Sequence, residues 1–482
     1  MEAKRTMLES PDRVLSTLEK DGSRRWLYPR LAVGRFHTWR RVVAYALIAI
    51  FTLIPYIPIN GRPAILLDII HRRFHLFGYT FLPTDTVLLA LFMVTLILTV
   101  FFMTALLGRV WCGWGCPQTV YMEFVFRPLE RLFGGKRGVG GKPAGNVAAW
   151  RSVALYACYI LVCLYLAHTF LAYFVGVEAL RTWITRSPLE HPAAFGVMAA
   201  TTALMLFDFL WFREQTCIIA CPYGRLQSVL IDPNSLIIGY DAKRGEPRGK
   251  GRVGTAHQAA DGGQCPPYAG DGIDCGLCVA VCPTGIDIRD GLQCECIGCA
   301  QCIDACDGVM AKIKRPAGLV RYSSQNAMAG MAHRILRPRV AIYCAVILGL
   351  MSVLTFKIVT KSLADVHVQR NFGRPFIVTD GMVENDLRVK ITNRDSRERT
   401  YSISVAGRPD IRVVPAHEMI RVAAGESVLE PVRILVPPGA FGGGRLDVTI
   451  RVSGGEDVVV DRDCRLLGPS TPLASSAVPR NP

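Results

Sequence analysis

The chain is short of acid. Its 39 Asp and Glu stand against 55 Lys and Arg, a formal net charge of +16 over 482 residues. Such a surplus suits nucleic acid or the inner side of a membrane. A basic helix and an aromatic RNA-binding signature are both lacking, which excludes nucleic acid as a partner. Residues 1–41 lack a short apolar core with a cleavage site. That stretch is polar and ends in a basic cluster (Arg24, Arg25, Arg30, Arg35, Arg40, Arg41), which argues against a cleaved signal peptide. The methionines, Met103 and Met122 among them, form no MxxM-type copper cluster. Nor do the 17 cysteines form a secreted disulfide scaffold: they cluster at redox spacings in a chain that is 51% hydrophobic, which fits a reducing compartment.

Long apolar sequence is what the chain has in quantity. Five stretches, at about 42–59, 86–107, 152–175, 193–212 and 339–360, each approach the roughly 20 residues that cross hydrocarbon. Pro55 and Pro58 end the first one early. Arg109, Arg127, Arg131, Lys136, Arg137, Lys142 and Arg151 fill the second loop and Arg213 opens the next long one, so both belong inside with the N-terminus. The 60–85 and 176–192 loops then lie outside. LLDIIHRRF in the former reads as amphipathic, lying in the interface or re-entering the membrane.

The expected architecture is multi-domain. An α-helical membrane bundle of five transmembrane helices carries a cytoplasmic ferredoxin-like two-cluster insert and a C-terminal all-β immunoglobulin-like sandwich. The divisions are a cytoplasmic N-terminal segment 1–41, helices one to four with their loops 42–212, the insert 213–338, the fifth helix 339–360, the outer sandwich 361–467 and a disordered tail 468–482. Within the insert, 243–272 is rich in Gly, Lys, Arg and Pro and reads as a flexible excursion. In the last domain LRVKITN, RTYSISVAG, VRILVPP and RLDVTIRV alternate apolar and polar residues between turns, as strands of a sandwich do.

The insert holds eight cysteines between Asp274 and Asp307. Cys296, Cys299, Cys302 and Cys306 follow C-x2-C-x2-C-x3-C; Cys275, Cys278 and Cys282 with Pro283 repeat the run without its first member. Three thiolates at two-residue gaps cap one face of a cubane, and in two-cluster proteins the fourth cysteine of each run ligates the other cluster. Zinc sites use CxxC pairs instead. The spacing implies iron–sulfur clusters and electron transfer.

Two further pairs share the pattern CxxxCP: Cys112 with Cys116, and Cys217 with Cys221. Their i,i+4 spacing puts both sulfurs on one side of a helical turn, which the proline ends. Each pair follows a membrane span, so the two can converge on one four-thiolate site for Cu(I), a further cluster or a disulfide; the plain alternative is buried, inert cysteine. Cys158, Cys163 and Cys344 read as packing, and Cys464 as a lone thiol without a role. His168 reads as a satisfied bundle histidine. His71 and His75, with Asp68, suit either a copper or quinone site or an interfacial helix face.

RVWCGWGCPQTVY (109–121), CIIACPYGRLQ (217–227), CGLCVAVCPTGIDIRDGLQ (275–293), ECIGCAQCIDACDGVM (295–310), KRPAGLVRYSS (314–324) and LLDIIHRRFHLFGYTFLPTD (66–85) together resemble the cytochrome c oxidase accessory protein family CcoG, also called FixG or RdxA. The resemblance covers nearly the whole chain, although each CxxxCP alone is shared with nitrate- and nitrous-oxide-reductase electron-donor proteins. It implies a cupric reductase in the bacterial inner membrane, supplying Cu(I) for assembly of the cbb(3)-type oxidase, with Cys112, Cys116, Cys217 and Cys221 as catalytic, metal-binding residues. Implied partners are oxidase assembly factors, copper chaperones, the lipid bilayer and an unidentified cytoplasmic electron donor, with a homo-oligomer open. Two other readings are a quinol-linked polyferredoxin conduit to an outer-face partner and an assembly scaffold.

The sequence departs from the family where Gly272 occupies the first ligand position of the first run. One cluster takes Cys282, Cys296, Cys299 and Cys302; the other keeps Cys275, Cys278 and Cys306 and lacks a thiolate. Cys265 on the flexible loop is the expected substitute, ahead of Cys294. Asp271 as a carboxylate ligand, or a 3Fe-4S in place of a 4Fe-4S cluster, are the alternatives.

Overall fold

The computed structural model describes residues 16–18, 21–59, 61–70, 73–81, 85–134, 147–249, 270–332, 334, 336–395, 397–455 and 457–470. They form two compact units, one within 1–57, 63–71 and 84–354, the other within 58–62, 72–83 and 355–482. The tail beyond 470, residues 250–269 of the excursion, Cys265 and His71 lie outside the described residues.

Among the described residues five helices are long and apolar enough to cross a membrane: Arg35–Tyr56, Thr86–Leu107, Ala149–Val175, Pro192–Phe212 and Pro338–Val359. The first is α-helical to Leu53 and tightens into a 3-10 turn at Ile54–Tyr56 around Pro55, as a proline without a backbone donor dictates. It starts at Arg35, well before the apolar run begins, because Asp304 caps it from elsewhere. The Asp304 carboxylate accepts from the Phe36 and His37 backbone N–H groups at 3.1 and 2.7 Å, satisfying donors that a helix start leaves open. Inside the bundle Tyr121, Phe126, Tyr159, Leu166 and Phe209 pack around Cys163, with Phe126 stacked on Phe209 at 4.3 Å. Cys163 is thus a core residue. His168 closes on the Leu164 carbonyl one turn back at 2.8 Å.

The 60–85 loop is extended where an amphipathic segment is expected. Strands Arg73–Leu76 and Tyr79–Phe81 pair antiparallel about a two-residue turn in which Phe77 and Gly78 both have positive φ, the hairpin geometry that overrides helical periodicity here. Ile69 and Ile70 form a turn, and His75 lies on the strand Arg73–Leu76. His75 Nδ1 meets Thr80 Oγ1 at 3.0 Å.

Within the first unit, strands Ile237–Tyr240 and Val320–Ser323 pair antiparallel and back the cysteine loops. The excursion rejoins by backbone bonds from Gly272 to Gly245 and from Gly249 to Gly272, both 3.1 Å. The second unit is a β-sandwich. Strands Arg412–Pro415, Ser427–Val436, Met382–Asn393 and Ala364–Arg370 make one sheet, with Ile377–Thr379 added to Met382–Asn393. Ile420–Val422, Arg399–Val405, Arg445–Ser453 and Val459–Leu467 make the other. Period-two burial along Met382–Asn393 turns Leu387, Val389 and Ile391 into a core shared with Tyr401, Ile434, Ile450 and Leu466. Cys464 packs at its edge.

Candidate redox centre

The two CxxxCP segments fold alike. The second membrane helix ends at Leu107, and Gly108 (φ +56°, ψ −127°) turns the chain into a short helix holding Cys112. Cys116 is extended and precedes helix Pro117–Tyr121. The fourth ends at Phe212, and Arg213 (φ +53°, ψ −120°) leads into a π-helical turn Thr216–Ala220 holding Cys217. Cys221 is extended and precedes helix Pro222–Leu230. The expectation of one continuous turn per pair is corrected: each proline starts a new helix, so the second cysteine leaves the first turn. A glycine serves at 108 because a Cβ there would stand 2.2 Å from the Leu236 carbonyl oxygen; Arg213 holds the same disfavoured backbone as a non-glycine.

The pairs meet. Cys217 lies close enough to feel the charges of Cys112, Cys116 and Cys221, and Cys112 those of Cys116 and Cys221. Cys112 Sγ also donates to Gln227 Oε1 at 3.0 Å, and Gln227 is held by Tyr223 at 2.7 Å. Cys112 packs directly on Ile297 and Cys299. A Cβ at Gly113 would lie 2.7 Å from Cys299 Cα and 2.8 Å from its nitrogen, so only glycine lets the two backbones touch.

The insert cysteines sort into two cavities. Cys282, Cys296, Cys299 and Cys302 line one, with Ile238 and Ile286. Cys275 and Cys306 line the other, with Gly272 and Arg289, and Cys278 borders both. The chain turns between consecutive cysteines through left-handed residues at matching places, Gly276 (φ +60°) and Ala300 (φ +61°). Among the described residues no three Cys, His, Asp or Glu groups close on one point as a single ion requires. Cysteines spread around a cavity suit a multi-atom iron–sulfur cluster instead, for which soft thiolates are the fitting donors. Before iron arrives, burial pushes the Cys299 and Cys217 thiols up to about 12. It pushes those of Cys278, Cys296 and Cys306 up to about 11. Metal entry must therefore displace protons.

Gly272 is where the expected first ligand would stand. A Cβ there would meet the Gly245 carbonyl oxygen at 2.3 Å, so the glycine belongs to the rejoining backbone. Asp271 is committed to Arg244 at 2.7 Å and Arg315 at 3.4 Å, which counts against its use as a ligand. Cys294 is exposed, its thiol directed to Glu295 at 3.2 Å.

Three family models match: a "4Fe-4S binding domain" over residues 89–139, a "4Fe-4S dicluster domain" over 212–325 and the "IG-like fold at C-terminal of FixG" over 354–469. The chain is 32% identical to "Nitrogen fixation protein FixG" of Rhizobium meliloti over 80% of each chain. The chain belongs to the FixG family. Two further relatives are from Cereibacter sphaeroides. "Protein RdxA" is 31% identical over 86% of this chain and 90% of its own, and "Protein RdxB" 32% identical over 90% and 93%. This FixG-family chain is a multi-pass membrane protein and an iron–sulfur electron-transfer protein.

Sequence reasoning missed several residues of the FixG-family centre. Arg40, Arg109, Arg127 and Arg213 read as solvated loop charges; all four are buried. Arg213 binds Glu130, with Nη2 to Oε2 at 3.2 Å, and Arg127 binds Glu123. Burial pushes the Glu130 carboxyl up, but the Arg213 guanidinium, helped by Arg127 and Tyr159, more than offsets this and holds it below the usual range. Arg40 donates from Nε to the Gly113 carbonyl at 2.9 Å and acts electrostatically on Cys299. Its two other nitrogens have no hydrogen-bond partner among the described residues. Its guanidinium lies over the Phe124 ring at 5.5 Å, and a buried cation beside a thiolate cavity fits the negative charge that four thiolates bring to a cluster. Only the burial of these arginines, which charge patterning does not carry, distinguishes them.

Proposed function

We propose that this FixG-family protein is a membrane-bound cupric reductase. Cys282, Cys296, Cys299 and Cys302 hold one cluster, and Cys275, Cys278 and Cys306 the other, with Cys265 as the fourth thiolate. When bound, the clusters supply one-electron redox chemistry. Cys112, Cys116, Cys217 and Cys221 receive Cu(II) as substrate and retain the product through soft thiolates, which favour Cu(I). Each Cu(II) takes one electron and no bond to carbon changes.

The observation that carries the reading is the backbone contact at Gly113, which sets Cys112, with Cys217 packed on the same apolar cluster, against Cys299. That contact gives electrons held in the insert a short way out. Oxidase assembly and its partners, copper chaperones and assembly factors of a cbb(3)-type oxidase, rest on the family resemblance. So does the bacterial inner membrane, with the N-terminus and insert in the cytoplasm and the sandwich in the periplasm. Setting aside the buried arginines, the second loop still carries Arg131, Lys136, Arg137, Lys142 and Arg151, enough for that orientation.

Anaerobic, pre-reduced protein mixed with Cu(II) and a Cu(I)-specific chelator tests the proposal. Reoxidation of the cluster spectrum with Cu(I) trapped is expected. A cluster spectrum indifferent to Cu(II) defeats it.

A further inference from the structure

We propose that a cavity beside Cys296 binds the head group of a membrane quinol and is where electrons enter. The cavity holds about 260 Å³ and lies between the end of the second membrane helix at Leu107, helix Pro222–Leu230 and the loop carrying Leu292 to Gly298. Drug-sized ligands fill roughly 300–1,000 Å³. The space therefore takes one ring system and is too small for a nucleotide-bearing cofactor.

Its walls are mostly apolar, with Leu107, Leu236 and Val229 among them. Val229 is 82% exposed at the rim, and Trp111 and Leu226 nearby also expose apolar surface. Leu107 in this wall ends the second membrane helix, which sets the entrance beside a membrane span. The polar contribution is specific. Arg109 lines the cavity, is buried, and donates to the Cys294 carbonyl. Its Nε has no hydrogen-bond partner among the described residues. The same guanidinium also acts on the Cys112 thiol by charge and hydrogen bond, and an oxygen on an aromatic ring in the cavity would give this cation a further acceptor. Mostly apolar walls with a few polar groups, Arg109, Ser228, Gln293 and Tyr322, describe a quinone site, and one wall is Cys296 itself.

Oxidation of one quinol to quinone releases two electrons and two protons. The protons leave to water at the rim, and the electrons match the two one-electron centres of a dicluster protein. The inference deepens the proposed function on its intake side and is tested apart from the copper step.

The full-length, cluster-loaded protein in lipid nanodiscs is mixed anaerobically with decylubiquinol, and cluster absorbance is followed; a photoreactive azidoquinone maps the site in parallel. Wild-type clusters are expected to bleach, with label on segments 228–236 and 292–298. Leu236→Trp, which fills the cavity, and Val229→Trp, which caps it, should each slow quinol reduction at least tenfold and displace the label. Dithionite should still reduce both variants fully, and Cu(II) should reoxidise them at the wild-type rate. Val229→Trp lies on the exposed rim and carries the test if Leu236→Trp does not assemble. Clusters that dithionite reduces and quinol leaves oxidised overturn the proposal, as do two variants reduced at the wild-type rate. Reduction only by a soluble reduced flavodoxin or ferredoxin also overturns it. Quinol reduction without Cu(II) reoxidation supports this site and counts against the copper reading alone.

Discussion

Replacing Arg40 by Met should lower the reduction potential of the cluster held by Cys282, Cys296, Cys299 and Cys302. Arg40 is fully buried, touches the Gly113 carbonyl, lies over the Phe124 ring and acts electrostatically on Cys299. A unit charge about 4 Å from another contributes about 4 kcal/mol at an effective dielectric constant near 20, and half that at twice the distance. Reduction adds one negative charge, so removing the cation disfavours it by about 2–4 kcal/mol. With a tenfold change in equilibrium at about 59 mV for one electron, the potential falls by about 90–170 mV. Met matches the apolar stem and fills the space without charge, while Arg40→Lys keeps the charge and should hold the potential within about 40 mV. The assay is an electron paramagnetic resonance redox titration of purified protein. An Arg40→Met potential equal to or above wild type refutes the argument that this guanidinium is the cluster's charge partner. Equal falls in both variants would assign the effect to packing instead.

Four further outcomes are expected. Gly113→Ala forces a Cβ to 2.7 Å from Cys299 Cα and should cost about 1–3 kcal/mol of stability. It should also slow Cu(II) reoxidation in stopped flow while cluster content is kept; unchanged kinetics contradict the outlet. Asp304→Ala removes the carboxylate that caps the first membrane helix and should lower unfolding free energy in detergent by about 1–2 kcal/mol; a melting curve overlapping wild type rules the cap out. Glu130 has a depressed carboxyl pKa, so the stability it contributes is present above the unfolded value of about 4.3 and is lost as pH falls through the folded value. Wild-type stability should therefore drop more steeply below about pH 4.3 than that of Glu130→Gln, in thermal melts across pH; parallel profiles would remove Glu130 from the account. Cys265→Ser should turn one cluster's paramagnetic signal into a three-iron type, and Gly272→Cys should not restore it, because the new Cβ meets the Gly245 carbonyl. A wild-type signal from Cys265→Ser excludes that thiolate.

The five membrane helices and the sandwich were legible because each rests on a period or a length: 20-residue apolar runs, and alternation in stretches such as LRVKITN. The cysteine runs were legible as iron–sulfur motifs because ligand spacing within a loop is local. What sequence could not carry is long-range. Asp304 caps a helix that begins at Arg35, 268 positions from the Phe36 donor, and Gly113 matters only because Cys299 lies against it. Arg40, Arg109 and Arg213 carry the same letters as solvated loop arginines, and only packing makes them buried charges. The 60–85 loop was misread because LLDIIHRRF fits a helical stripe, while the turn at Phe77 and Gly78 commits it to strands.

In the proposed function, electrons leave the insert for copper through the four CxxxCP thiolates. Stopped-flow reoxidation by Cu(II), with the product trapped by a Cu(I) chelator, tests it most directly. Wild type is compared with the variant carrying Cys112→Ser, Cys116→Ser, Cys217→Ser and Cys221→Ser together. Wild type should yield one trapped Cu(I) per reduced cluster, and in the variant reduced clusters should persist with their paramagnetic signals intact. Equal rates and equal Cu(I) yields from the two proteins would contradict it.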